Sequence, residues 1–173
     1  GLPTKEQEHI YKNYWYPMEE SFEGRGQSDQ FDRFMRDYLT LQSKSGSIPK
    51  LSDVYNSFKA YLDRQVGIPV AGIMADVYRY SKYYTRLVLG QEPDTDIKRA
   101  LVDISTLRVD VAYPFLLEIY EDYEQGRLPK AEFIEILRLI ESYVFRRAIS
   151  GIPPNSLNKT FATLGREIDR DRY

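Results

Sequence analysis

The 173-residue chain has no cysteine, a single histidine (His9) and a single tryptophan (Trp15). Without cysteine there is no disulfide framework, no thiol nucleophile and no thiolate metal site. With one histidine, multi-histidine zinc sites are excluded, and any histidine-based triad would have to use His9. His9 stands among polar residues and reads as a surface position. No apolar run approaches the roughly 20 residues of a membrane span, and no secretory signal opens the chain. Charge of one sign is also missing: 24 basic residues face 26 acidic ones, for a net of -2. That balance argues against a surface built wholly for nucleic acid and leaves room for a local patch. Residues 1–124 hold 15 basic and 20 acidic side chains, and residues 125–173 hold 9 and 6, so the basic excess lies at the C-terminal end.

What is plentiful is tyrosine, with 15 copies, within a 42% hydrophobic and 29% charged composition. These are the proportions of one folded domain. A chain that opens on Gly1 rather than Met is expected to be a processed or excised piece of a longer protein, and the whole of 1–173 reads as a single cytoplasmic helical domain.

The apolar period is 3.6 almost throughout. A first helix is expected from Thr4, as N-cap, to Phe22, with Ile10, Tyr11, Tyr14 and Trp15 on one stripe and Pro17 kinking it. Ser28 should cap a second helix through Phe31, Phe34, Met35, Tyr38 and Leu39. Ser52 should cap a third, which ends near Gly67. A fourth should run from Val70 to Leu89, stopped by Gly90, and a fifth from Pro93 to Thr106. Residues 107–113 alternate like a strand but have no partner strand, and read as a connection. Pro114–Glu124 forms a sixth helix and Pro129–Ser150 a seventh. Asn155 or Ser156 caps an eighth, which Gly165 should end. Nine of the thirteen residues from Phe133 to Phe145 are apolar or aromatic, so the seventh helix, about 128–150, is expected to be the buried hub. The sum is an all-α, irregular multi-helix bundle. The loop Gln42–Lys50 is the only candidate for an internal boundary.

Catalytic motifs are scarce. Gly24-Arg25-Gly26 lacks the third glycine and the flanking strand of a dinucleotide site. Ser47-Ile48-Pro49-Lys50 has the Ser-x-x-Lys spacing in a polar loop, with no helix to aim the lysine. The carboxylates Glu118, Glu121, Asp122 and Glu124 share one helix. They could hold a hard cation only with ligands from elsewhere, and they fit a solvated face better. Glu135, Arg138 and Glu141 are ordinary i, i+3 support.

Two regions invite a contact role. Tyr78, Tyr80, Tyr83 and Tyr84 interleave with Arg79, Lys82 and Arg86. Rings beside cations can hold unstacked bases or a phosphate backbone, and the same pattern arises when tyrosines simply pack inward. Candidates for an aromatic and basic face are therefore Arg79, Lys82, Tyr83 and Arg86. Farther on, Arg146 and Arg147 end one helix while Asn155, Asn158 and Lys159 open the next. Arginines beside exposed helix N–H groups can grip a phosphate or a flanking domain, or can merely tie two helices together.

The stretch Glu141-Ser-Tyr-Val-Phe-Arg146-Arg147 through Asn155-Ser-Leu-Asn158-Lys159-Thr-Phe161 carries a wider likeness. So do Tyr14-Trp15-Tyr16-Pro17-Met18-Glu19 and Phe31-Asp-Arg-Phe-Met-Arg-Asp-Tyr-Leu39. Together they resemble the GmrSD family of modification-dependent restriction endonucleases. In that family a helical segment lies between an N-terminal ParB-like nucleotide-hydrolysing domain and a C-terminal HNH-type nuclease domain. The resemblance runs from about residue 10 to 165 and falls within the helical segment. Pro154 departs from the threonine of the family pattern. The Asp-Gly-Gln-Gln-Arg motif and the HNH histidine and asparagine core are absent. The resemblance thus implies a non-catalytic connecting domain with no cofactor of its own. Nucleoside triphosphate and divalent metal would belong to the parent's flanking domains. Those domains, and DNA, are the implied partners. A free-standing protein-interaction module is the alternative, and the oligomeric state stays open.

Overall fold

The computed structural model describes residues 3–22, 29–43, 45–152 and 155–167. The described residues are all-α, with no strand. The helices are α1 (Thr4–Ile10), α2 (Tyr16–Phe22), α3 (Gln30–Gln42), α4 (Val54–Arg64), α5 (Val70–Val88), α6 (Thr95–Thr106), α7 (Tyr113–Glu124), α8 (Lys130–Ile149) and α9 (Asn155–Glu167). Since α1 and α2 are joined by a π-helical turn, Tyr11–Trp15, they form one rod. Eight rods therefore make up the described bundle. Short 3-10 turns at Leu51–Asp53 and Asp110–Ala112 lead into α4 and α7.

The π turn sits where Pro17 requires an adjustment. Proline has no N–H to return to the preceding turn and crowds the carbonyl four residues back. The Tyr16 N–H reaches back five residues to the Tyr11 carbonyl, so the rod widens for one turn instead of breaking. Several helix starts differ from the sequence expectation. Pro3, not Thr4, holds the N-cap position of the first rod. Ser52 lies inside the 3-10 turn, with Asp53 at the cap of α4. Ser28 lies outside the described residues. At α6 the cap is a side-chain one: Asp94 Oδ1 accepts from the N–H groups of Asp96 (3.0 Å) and Ile97 (3.2 Å). Lys130 Nζ reaches the same Asp94 at 2.7 Å and Asp96 at 3.0 Å, tying the start of α8 to the start of α6.

The hub of the bundle is α7, not the helix at 128–150. Tyr113, Pro114, Phe115, Leu116, Leu117, Ile119, Tyr120 and Asp122 are all buried, and α7 packs against α3, α5, α8 and α9. By contrast α8 buries only Phe133, Leu137, Ile140 and Val144. Those four follow 4-3-4 spacing, a single stripe laid mainly on α6. Leu139, Tyr143, Phe145 and Ile149 fall off the stripe and are exposed. The sequence reading weighed the number of apolar residues, whereas the phase of their spacing decides how many sides of a helix are covered.

At its far end α9 does not stop at Gly165 but continues to Glu167. At Gly165 the helix passes close to the Glu118 carboxylate. A Cβ built on it would lie 1.7 Å from Glu118 Oε2 on α7 and 2.3 Å from its Cδ. The loop between α3 and α4 also leans on α9. Gly46, at φ +68, passes so close that a Cβ would come 2.9 Å from Thr163 Cγ2.

Candidate functional site

The aromatic and basic stripe of α5 turns inward. Tyr80, Tyr83 and Tyr84 are buried, and Tyr83 is only 4% exposed. Its hydroxyl donates to Glu121 Oε2 of α7 at 2.7 Å. Burial raises the pKa of this phenol, and the Glu121 carboxylate raises it further. Arg79 pairs with Asp76 and, through Nε, with Glu121 at 3.2 Å. Burial opposes the charged form of Arg79, yet Asp76 and Glu121 leave its pKa raised. Arg86 meets Glu124 at 2.7 Å and the Tyr120 hydroxyl at 3.3 Å. Lys82 is exposed, with Nζ 4.2 Å from the centre of the Tyr78 ring.

So two features that the sequence offered separately are partners. Glu121 and Glu124 of α7 receive Arg79, Arg86 and the Tyr83 phenol of α5 at a helix–helix seam. Asp122, 1% exposed, is held by Arg127 Nη2 at 2.8 Å. As an exposed contact face, the set Arg79, Lys82, Tyr83 and Arg86 is corrected to Lys82 with the outer edges of two paired arginines. Tyr83 belongs to the core. The reason is that α7 approaches α5 with carboxylates at matching height, which no local spacing reveals.

The corner where α8 meets α9 is different. Arg147 Nη2 donates to Ser156 Oγ at 2.6 Å, and its Nη1 to the Tyr143 hydroxyl at 3.3 Å. Its guanidinium also lies 5.6 Å from the centre of the Tyr143 ring. Arg147 thus ties the last turn of α8 to the first turn of α9. Arg146 is exposed and turns back on its own helix, to Ser142 Oγ at 2.9 Å. Asn158 and Lys159 are exposed on the first turns of α9. Asn155 starts that helix, and its side chain lies outside the described residues. The structure therefore brings Arg147 and α9 together and leaves Arg146, Asn158 and Lys159 facing outward nearby in the chain.

Toward this corner lie exposed apolar residues, of which Leu139, Tyr143 and Phe145 fall in the stretch expected from the sequence to be buried. Leu139 and Tyr143 occupy one shoulder of α8, and Phe145 and Ile149 the other, with Ile152 just beyond. Their exposures are 58%, 41%, 52%, 69% and 46%. Single exposed apolar side chains are ordinary; five within fourteen residues is a local concentration, divided between two sides of α8 and the turn after it. The signal was present in the sequence: once Phe133, Leu137, Ile140 and Val144 are assigned to one stripe, these residues cannot share it.

Among the described residues, no group of three or more histidine, aspartate or glutamate side chains is placed to hold a metal ion. Among the same described residues, no helix is long and apolar enough to cross a membrane. No protein-family model matches the chain, and neither curated proteins nor solved structures give a match.

Proposed function

We propose that this chain is the non-catalytic helical segment of a modification-dependent DNA restriction endonuclease-like protein. In this reading it couples a nucleotide-hydrolysing domain to an HNH nuclease domain, in the cytoplasm, where the parent meets DNA. Nucleoside triphosphate and divalent metal would act in the flanking domains. The observation that supports the coupling role is the exposure of Leu139, Tyr143, Phe145, Ile149 and Ile152 on α8 and the turn after it, in the same segment as the exposed Arg146. Apolar anchors next to exposed cations suit a docking surface, where anchors supply affinity and charges supply register. Arg146, Asn158 and Lys159 are the side chains we assign to a flanking domain or a DNA phosphate. Arg147 we assign to holding α8 and α9 at the angle that presents them.

The test is charge reversal at Arg146 and Lys159 in the full-length protein. Neither appears in an interhelical hydrogen bond or ion pair among the described residues, so the bundle should keep its stability. Nucleotide-stimulated cleavage or DNA binding should fall, and any phosphate contact should weaken with salt. Unchanged stability, DNA binding and cleavage together would refute the assignment.

The same exposed apolar residues also suit a free-standing interaction module that binds a partner helix. In that case Leu139→Glu with Phe145→Glu abolishes partner binding, while Arg146 and Lys159 affect mainly its salt dependence.

A further inference from the structure

Between the end of α3, the loop at 43–50 and α4 lies an open cavity of about 850 Å³. Small-molecule sites commonly span roughly 300–1,000 Å³. The lining is unlike the aromatic core beneath it. Gln42, Ser45, Ser47 and Ser57 supply amide and hydroxyl groups, Tyr61 supplies a ring, and Arg64 is the only charged residue among the described lining. Arg33 and Arg36 of α3 and Arg79 and Arg86 of α5 sit on carboxylates. Arg64 makes no ion pair with any described residue.

Both walls are fixed in advance. The loop wall is folded on itself by Ser47 N–H donating to Ser43 Oγ at 3.0 Å and Gly46 N–H to the Ser43 carbonyl at 3.1 Å. Behind it, Gly46 rests against Ala162 and Thr163 of α9. On the opposite wall the Tyr61 ring stands edge-on to Tyr38, centroids 6.0 Å apart, and stacks on Phe58 at 6.2 Å. The Tyr61 hydroxyl faces that of Tyr38 at 3.4 Å, and Tyr38 in turn donates to Asp76 at 2.8 Å. A pre-formed concave site loses less on binding than one that must order itself.

We propose that this cavity binds a small organic phosphate. Arg64 takes the phosphate through charge-assisted hydrogen bonds, and the serine hydroxyls and the Gln42 amide take a hydroxylated body lying against Tyr61. A cation is disfavoured, because no carboxylate stands among the described lining. A purely apolar ligand is disfavoured too, because it would strip water from four serines and two glutamines without replacing it. The site is independent of the α8 patch, so either assignment can fail alone.

The experiment is calorimetric titration of the whole chain with ribose 5-phosphate, set against ribose, inorganic phosphate and potassium chloride at matched ionic strength. Saturable one-to-one binding of ribose 5-phosphate is expected, with ribose silent and inorganic phosphate weaker. Arg64→Gln should weaken binding about tenfold, the loss of one charge-assisted hydrogen bond. Ser47→Ala should weaken it less. Both residues are exposed, and an unchanged urea midpoint confirms that each variant is folded. Absence of saturable binding, or equal binding by Arg64→Gln, overturns the site. Equal affinity for ribose overturns the phosphate assignment, and equal affinity for inorganic phosphate overturns the role given to the walls.

Discussion

Tyr83 of α5 donates its hydroxyl proton to Glu121 of α7 across 2.7 Å, and the pair closes a seam in which each side had looked like a surface of its own. Arg79 reaches the same carboxylate oxygen. The seam matters for function because it takes Tyr83 into the core and leaves of that cluster only Lys82 and the outer edges of Arg79 and Arg86. The corner of α8 and α9 is left as the outward-facing one.

Tyr83→Ala should therefore cost about 3–5 kcal/mol, as for other large aromatic truncations in a core, and Tyr83→Phe about 1 kcal/mol, the bond to Glu121 alone. Urea denaturation of the two variants measures both. An exposed contact residue would instead change stability by less than about 0.5 kcal/mol on either substitution.

The reassignment of the hub makes a paired prediction on one helix. Leu137, fully buried on α8, should cost about 2–5 kcal/mol as Leu137→Ala. Leu139, two residues on and 58% exposed, should stay within about 0.5 kcal/mol as Leu139→Ala. If α8 were buried on all sides, the two midpoints would move together.

Asp37 of α3 supplies a pH signature. It is 2% exposed; its Oδ1 accepts from Arg36 Nε at 2.8 Å, and its Oδ2 is buried with no hydrogen-bond partner among the described residues. Burial pushes its pKa up to about 7; Arg36 and Arg33 oppose this, and Asp110 adds to it. The folded value lies above the unfolded one near 3.8, so the native state binds the proton more tightly. Its contribution to stability is greatest below the unfolded pKa and is lost as pH rises toward about 7. Asp37→Asn should flatten that decline and gain most over the native chain above neutral pH. Urea midpoints of both proteins at acidic and mildly alkaline pH will read the difference; parallel pH profiles would contradict it.

Gly165 and Glu118 should couple. Alanine is favoured over glycine in a helix by about 1 kcal/mol, but here its Cβ would displace the Glu118 carboxylate. Gly165→Ala should therefore be less favourable in the native background than in Glu118→Ala. A double-mutant cycle on thermal unfolding measures the gap, and additive effects would show that the glycine is not kept for space.

Much of this molecule is local and so could be read along the chain. The 3.6-residue period, the glycines at 90 and 126 and the prolines at 93, 114 and 129 mark where helices run and stop, because each acts on its own few residues of backbone. The lack of cysteine and the single histidine settle which chemistries are missing in the same way. Other features depend on what lies opposite. Whether Tyr83 is core or contact is decided by Glu121 arriving from residues 38 positions away. Whether α8 is hub or rim is decided by how many helices cover it, and α7 rather than α8 collects those neighbours because Phe115, Leu116, Leu117, Ile119 and Tyr120 present apolar surface on several of its sides. Gly165 reads as a stop in sequence and is a point of close approach in space. Hydrophobic count and charge pattern are properties of one strand of text, while burial is a property of pairs of surfaces, and only the folded chain brings those pairs together.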